Sequence, residues 1–324
     1  VMQESFGQGW EQHFKRFSFT PMAAASIGQV HAALSQSDRQ LALKIQYPGI
    51  DQSIDSDVDN VATLLKVSRL VPDGLDLYPL LQEAKRQLHE EADYLLEAGH
   101  LRRFASALEE SPEFLVPGVD EHFTRRNILA MDFLEGEPVE SLVTATQATR
   151  DRVAGLLLEL FFRELFEFGM IQTDPNFANF LYNTSTRQLG LLDFGATRGY
   201  PVAVIEAYRG LLEAALREDH AAMSASAEAI GYFKKDIHAQ QRAAVMKLFV
   251  LATEPARTRG RFDFGTSDLA VRIRDAGMAL SFDEGYWHTP PEDAIFLHRK
   301  RGGLYLLAAH QRAQVDVRII LERI

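Results

Sequence analysis

The strongest constraint on this chain is a change of hydrophobic period along its length. Before Pro48 the apolar residues alternate, and over most of the remainder they recur at helical spacing. The run Arg16-Phe-Ser-Phe-Thr20 alternates and stops at Pro21. Gln29–Leu34 and Gln40–Gln46 flank the polar turn Ser35-Gln-Ser-Asp-Arg39, a hairpin pattern that Pro48-Gly49 terminates. Helices are predicted over 53–70 and 79–108, the second carrying Leu81, Ala84, Leu88, Ala92, Leu95 and Leu96 at helical spacing. A further strand is predicted over 127–133. From about residue 150 the pattern is helical: 151–168, closed by Gly169 as a C-cap, then 201–217, 219–231, 235–253 and 266–280. Thr289-Pro-Pro-Glu292 has the capping pattern that opens a last helix. The expectation is an α+β chain of two lobes, a strand-containing 1–135 and a mainly helical 136–324, with the boundary near Gly136.

Composition removes several function classes. The 324 residues suffice for one large domain or two lobes, and the formal net charge of −11 leaves nucleic acid without a basic face to bind. The chain has no cysteine, which excludes disulfides, zinc thiolates, iron–sulfur clusters and a Cys nucleophile. The most apolar run, Val153–Met170, carries Glu159, Arg163, Glu164 and Glu167, too many charges for a bilayer span of roughly 20 apolar residues. No signal or Arg-rich transit pattern opens the chain. It begins at Val1 without an initiator methionine, which leaves room for an upstream segment.

Four features with chemical potential follow in order. The segment Pro21-Met-Ala-Ala-Ala-Ser-Ile-Gly28 joins two strands, and its small residues Ala23, Ala24, Ala25, Ser26 and Gly28 would let backbone N–H groups approach phosphate oxygens. A tight turn with packed alanines is the alternative. Lys44 stands between apolar neighbours on the second hairpin strand, where it could meet nucleotide phosphates or simply point outward. Glu91 falls on the apolar face of Leu88 and Leu95, and a carboxylate there needs a cation. Lys44 is its expected partner, and a glutamate reaching out from the helix edge is the alternative. Glu83, Glu90 and Glu97 are read as solvated. Last, Asp174-Pro-Asn-Phe-Ala-Asn179 has the Asp-x-x-x-x-Asn spacing of a catalytic loop, and Asp193-Phe-Gly195 follows it. Asp174 would orient or deprotonate an acceptor, and Asn179 and Asp193 offer hard oxygens for Mg²⁺. A second triplet, Asp263-Phe-Gly265, has no such loop ahead of it and reads as a loop. His288, His298 and His310 are not at metal-ligand spacing.

The set resembles protein kinases but departs from them. Gln172-Thr173 stands where His-Arg would precede the catalytic aspartate, and no Ala-Pro-Glu sequence or long activation segment follows Asp193-Phe-Gly195. Phosphorylation of protein substrates in trans is not expected. The departures resemble the UbiB family of atypical kinase-like ATPases, in its coenzyme-Q branch. The residues that carry this are Ala23-Ala-Ala-Ser-Ile-Gly-Gln-Val-His31, Lys44-Ile-Gln-Tyr-Pro-Gly49 and Glu91-Ala-Asp93-Tyr. They continue with Phe166 to Phe180, Leu191 to Arg198, and Leu297-His-Arg-Lys-Arg-Gly-Gly303.

The resemblance implies a two-lobed protein-kinase-like fold that binds ATP or ADP with Mg²⁺ and hydrolyses ATP in support of ubiquinone biosynthesis. Glu91 and Asp93 would form the regulatory E-x-D element. Asp132, Phe133 and Leu134, at the lobe boundary, join the expected nucleotide contacts. Membrane lipid or a quinone precursor and ubiquinone-biosynthesis proteins are the implied partners. The implied location is the bacterial inner-membrane surface on the cytoplasmic side, or the matrix face of the mitochondrial inner membrane. A small-molecule phosphotransferase of the same fold and a non-catalytic nucleotide-switched scaffold are the alternatives. The family's N-terminal K-x-G-Q motif has no counterpart, since Phe6-Gly-Gln8 lacks the lysine.

Overall fold

A computed structural model describes residues 1–68, 78–174, 176–233, 235, 237–280 and 291–324. His288 and the Thr289-Pro start of the last expected helix lie outside these residues, as do 69–70 at the end of the first. Val1–Glu135 with Gly190–Ala196 form one compact unit, and Gly136–Leu189 with Thr197–Ile324 form another. The Asp193-Phe-Gly195 turn, expected in the second lobe, therefore belongs with the first unit.

In the first unit α1 (Met2–Phe6) precedes strands β1 (Phe14–Phe17), β2 (Ala23–Ala25), β3 (Gly28–Ser35) and β4 (Gln40–Gln46). Helices α2 (Ile50–Ser68), α3 (Tyr78–Glu91) and α4 (Tyr94–Ala107) follow, then β5 (Phe114–Leu115) and β6 (Ile128–Asp132). The main sheet runs β1-β3-β4-β6, antiparallel throughout, with β2 folded onto β3. Strand alternation sends Leu41, Leu43 and Ile45 to one face, against a core of Phe14, Phe123, Ile128 and Ala130. Ala42, Lys44 and Gln46 take the other face. Lys44 is paired with Val30 on one side and Leu129 on the other, so its strand is central in the sheet, and its side chain is buried on the face it shares with Ala42 and Gln46.

Two expectations fail here. The alanine segment is not all turn, because Ala23–Ala25 pair with Val30, Gln29 and Gly28. The helix expected over 79–108 is two helices. The side chain of Asp93 accepts from the backbone N–H groups of Leu95 and Leu96 at 3.0 and 3.3 Å. An aspartate that satisfies the first N–H groups of a new helix competes with continuation of the old one. The turn of axis leaves Leu95 and Leu96 exposed and buries Tyr94, Ala98, Leu101 and Phe104.

The second unit opens with β7 (Glu137–Pro138) and α5 (Gln147–Arg163), capped by Thr146. The helix ends in a π turn, Glu164–Phe168, closed by Gly169 at φ 63°. Strand β8 (Met170–Gln172) follows, then β9 (Phe180–Asn183), which pairs with β7, β10 (Gln188–Leu191), and β11 (Thr197–Gly199), which pairs with β8. Helices α6 (Val202–Leu216), α7 (His220–Ile230), α8 (Ala239–Ala252), α9 (Glu254–Arg257), α10 (Leu269–Met278), α11 (Glu292–His310) and α12 (Val317–Leu321) make up the bulk. A short ribbon of β12 (Phe262–Asp263) and β13 (Gln314–Val315) completes it. Helices α11 and α12 both pack on α5. Among the described residues no helix is long and apolar enough to cross a membrane.

Candidate functional site

In the first unit Lys44 is held by two carboxylates, and neither is Glu91. Its Nζ lies 3.0 Å from both Oε1 and Oε2 of Glu97 and 2.7 Å from Oδ2 of Asp193, with the Tyr94 ring centroid at 5.1 Å. The side chains of Lys44 and Glu97 are 6% and 2% exposed, against 26% for Asp193. The expected Lys44–Glu91 pair is thus replaced by Lys44–Glu97, and Glu97 is buried rather than solvated. The helix break is the cause. Once α4 starts after Asp93, Glu97 shares a face with Tyr94, Ala98 and Leu101, while Glu91 ends α3 and hydrogen-bonds Ser26 Oγ. Sequence signals for Glu97 existed: an aspartate at a possible N-cap, and residues 94, 97, 98, 101 and 104 at helical spacing.

Charge decides how the cluster behaves. Burial alone would lower the Lys44 ammonium's pKa, but Glu97 and Asp193 outweigh it and the net shift is upward. Burial pushes the Glu97 carboxyl up to about 7, with repulsion from Asp193 adding to the rise and Lys44 opposing it. The Phe194 N–H donates to Glu97 at 3.3 Å, His100 Nδ1 donates to the Phe194 carbonyl at 3.1 Å, and the Phe104 and Phe194 rings meet at 4.7 Å. These contacts anchor the turn at Phe194, immediately after Asp193.

The two Asp-Phe-Gly triplets share one local geometry and differ in what surrounds it. Asp193 Oδ1 accepts from the Gly195 N–H at 3.0 Å, and Asp263 Oδ1 accepts from the Gly265 N–H at 2.9 Å. The second oxygen of Asp193 meets the ammonium of Lys44, whereas that of Asp263 meets the Gln314 amide at 3.2 Å. Among the described residues only the first triplet is matched to a cation.

The remaining expected nucleotide residues have mixed placements. Ala23, Ala24 and Ser26 are exposed and Ala25 is half-buried. A Cβ at Gly28 would meet the Ile45 carbonyl oxygen at 2.2 Å, so close strand packing by itself requires that glycine. The Asp132 carboxylate is committed to Arg39 at 2.6 Å and to the Gly118 N–H at 3.1 Å. The Phe133 N–H donates to the Gln40 carbonyl, and Phe133 and Leu134 are half-buried.

In the second unit Asp174 and Asn179 come together. The Asn179 amide donates to Asp174 Oδ2 at 3.0 Å and the Asn176 N–H donates to Oδ1 at 3.2 Å. Behind them lies a pair that the sequence reading missed. Glu164, in the π turn, and Lys300, in α11, are 1% and 3% exposed and form an ion pair. The Glu164 carboxylate also accepts the backbone N–H of Gln172, the strand residue that leads to Asp174. Burial pushes Glu164 up to about 7 and pushes Lys300 down. A glutamate inside the apolar run 153–170 is the available signal, since a carboxylate buried there needs a cation.

A strand-borne lysine clasped by a helix glutamate and an Asp-Phe-Gly aspartate, with an Asp-x-x-x-x-Asn loop in the helical unit, defines a protein-kinase-like fold. The chain belongs to the ABC1 atypical kinase-like domain family, which matches residues 1–227. It is 39% identical over 318 residues to the atypical kinase COQ8, mitochondrial, of Saccharomyces cerevisiae, covering 97% of this chain and 63% of that protein. It is 35% identical over 319 residues to the atypical kinase COQ8B, mitochondrial, of Danio rerio, covering 98% and 51%. The chain thus spans between about half and two thirds of the length of these relatives. A probable protein kinase UbiB of Cellvibrio japonicus matches at 31% over 187 residues, 55% of this chain and 33% of that protein. Among solved structures, Rv3197 of Mycobacterium tuberculosis in complex with erythromycin superposes with a TM-score of 0.76 at 24% identity, covering 99% of this chain and 80% of that one.

Proposed function

We propose that this chain is a Mg²⁺-dependent nucleotide-binding atypical kinase of the ATPase type, acting in ubiquinone biosynthesis at a membrane surface. The observation that carries the nucleotide reading is the buried Lys44 ammonium, held within 3.0 Å of Glu97 and 2.7 Å of Asp193. An ammonium kept charged and fixed in this way is suited to a triphosphate oxygen. Asp193 and Asn179 would hold Mg²⁺, which supplies charge neutralisation to the phosphates when bound. Each offers a hard oxygen, the donor type that Mg²⁺ takes. Mg²⁺ is commonly bound by one or two carboxylates together with phosphate oxygens.

The chain's own residues have separable tasks. Glu97 orients Lys44 and ties it to the backbone of the Asp193 turn. Asp174 takes the proton of an acceptor hydroxyl or water at a carboxylate oxygen, and the Asn179 amide holds that carboxylate in place. Glu164 fixes the strand before Asp174. Glu91 and Asp93 are proposed as the regulatory element, with Glu91 acting through Ser26 on the alanine segment. The ubiquinone role, lipid or quinone-precursor partners and an inner-membrane location in a bacterium or mitochondrion rest on the likeness to COQ8 and UbiB proteins.

Thermal unfolding with and without Mg-ADP or Mg-ATP tests the reading. Saturating nucleotide at a hundred times Kd stabilises the folded chain by about 2.7 kcal/mol, and Asp193→Asn abolishes the shift. Absence of a shift with any Mg-nucleotide at millimolar concentration overturns it. Complementation of a ubiquinone-deficient strain, lost with Asp174→Asn, tests the biosynthetic part separately.

A further inference from the structure

The segment Leu297-His-Arg-Lys-Arg-Gly-Gly303 lies within α11 and only part of it serves the Asp174 strand. Leu297 is core, and Lys300 holds Glu164. His298, Arg301 and Gly302 instead line a cavity of about 330 Å³ contained within the second unit. Its other walls come from α8 and α10 and from Leu280, chiefly Val245, Leu248, Phe249 and Ile273. This volume is in the lower range of small-molecule pockets, roughly 300–1,000 Å³.

Two features say what would fill it. The first is charge. Arg301 is half-buried and makes no hydrogen bond or ion pair with any described residue. The groups that feel its charge are the phenols of Tyr208, Tyr232 and Tyr305 and the imidazole of His298. Those polar atoms are already engaged. The Tyr208 and Tyr232 hydroxyls lie 2.7 Å apart, Tyr232 and His298 Nε2 lie 2.6 Å apart, and the Tyr305 hydroxyl donates to the Ala252 carbonyl at 3.1 Å. Among the described residues, therefore, one guanidinium lines an otherwise apolar cavity with no carboxylate paired to it. The second feature is space. Gly277 and Gly302 both line the cavity, and a Cβ built on either meets nothing within 4 Å. Glycine inside a helix costs about 1 kcal/mol relative to alanine, and here no neighbouring atom requires it.

We propose that this cavity binds a fatty-acid-like carboxylate, with the hydrocarbon chain among α8, α10 and α11 and the head paired to Arg301. A single arginine among the described lining residues matches a single negative charge, and the guanidinium fork suits a carboxylate. The site lies entirely in the second unit and does not depend on the nucleotide reading.

The test is equilibrium binding of decanoate and decanol, below micelle formation, to the full chain by calorimetry and thermal shift. Decanoate binds saturably with one-to-one stoichiometry and at least tenfold more tightly than decanol. Arg301→Gln weakens decanoate at least tenfold and leaves decanol within twofold. Gly302→Leu, or Gly277→Leu where the first is poorly folded, fills the cavity and removes both ligands without lowering the melting temperature. Equal affinity for acid and alcohol, binding that survives both leucine variants, or no saturable decanoate binding overturns the proposal.

Discussion

At the residue scale the chemistry concentrates on one ammonium between two carboxylates. Burying an unpaired charge costs several kcal/mol, and removing one partner of a buried pair typically costs about 3–5 kcal/mol. Because Lys44 keeps Asp193 when Glu97 is lost, a smaller penalty is expected. A double-mutant cycle on stability using Lys44→Met with Glu97→Gln is expected to give a coupling of about 1.5 kcal/mol or more, and the same cycle with Glu91→Gln less than about 0.5 kcal/mol. Equal couplings from denaturant titrations would refute the pairing. Lys44 and Asp193 were legible in the sequence because an ammonium between strand apolars and an Asp-Phe-Gly triplet after Asp-x-x-x-x-Asn are uncommon juxtapositions. Glu97 was legible only through the possible N-cap at Asp93, since its burial depends on where the helix breaks. The Glu164–Lys300 pair was hidden, because the two residues are 136 positions apart.

At the element scale the decisive object is the break between α3 and α4. Glu90-Glu91-Ala92 continues a helical pattern on both sides, so periodicity alone runs through it. What stops the helix is the Asp93 carboxylate on two backbone N–H groups. Asp93→Ala is expected to destabilise the chain by about 1 kcal/mol, within the ordinary range for a lost N-cap, while Asp93→Ser retains most of it. Urea midpoints of the two variants check this, and an unchanged midpoint for Asp93→Ala would show that packing of Tyr94 and Phe104 alone sets the break. The alanine segment repeats the lesson. Alanine favours no strand, yet Ala23–Ala25 become one because β3 offers them an open edge. The hairpin of β3 and β4 and helices α6, α7 and α10 were readable within a few residues, since their periods and end residues agree.

At the scale of the whole molecule the buried titratable groups pull stability in opposite directions with pH. His298 is held down to about 3, by burial first and by the Arg301 charge second. In the unfolded chain a histidine titrates near 6.5, so between about 3 and 6.5 the unfolded state binds the extra proton. His298 therefore supports the fold above about 6.5 and loses that support on acidification, by up to about 1.4 kcal/mol per pH unit. Glu164, raised to about 7, behaves oppositely: from about 4.3, the unfolded value, to 7 the folded state holds the extra proton, and stability falls as pH rises. Glu97, likewise raised to about 7, acts with Glu164, so the wild-type profile between pH 4 and 7 sums opposed contributions. His298→Gln sacrifices the Tyr232 hydrogen bond yet is expected to lose less stability than wild type on going from pH 6.5 to 4.5. Glu164→Gln is expected to lose less between pH 5 and 7. Urea denaturation across this range distinguishes them, and parallel curves for wild type and His298→Gln would mean that the imidazole takes up its proton in the folded chain, against the geometry of α11.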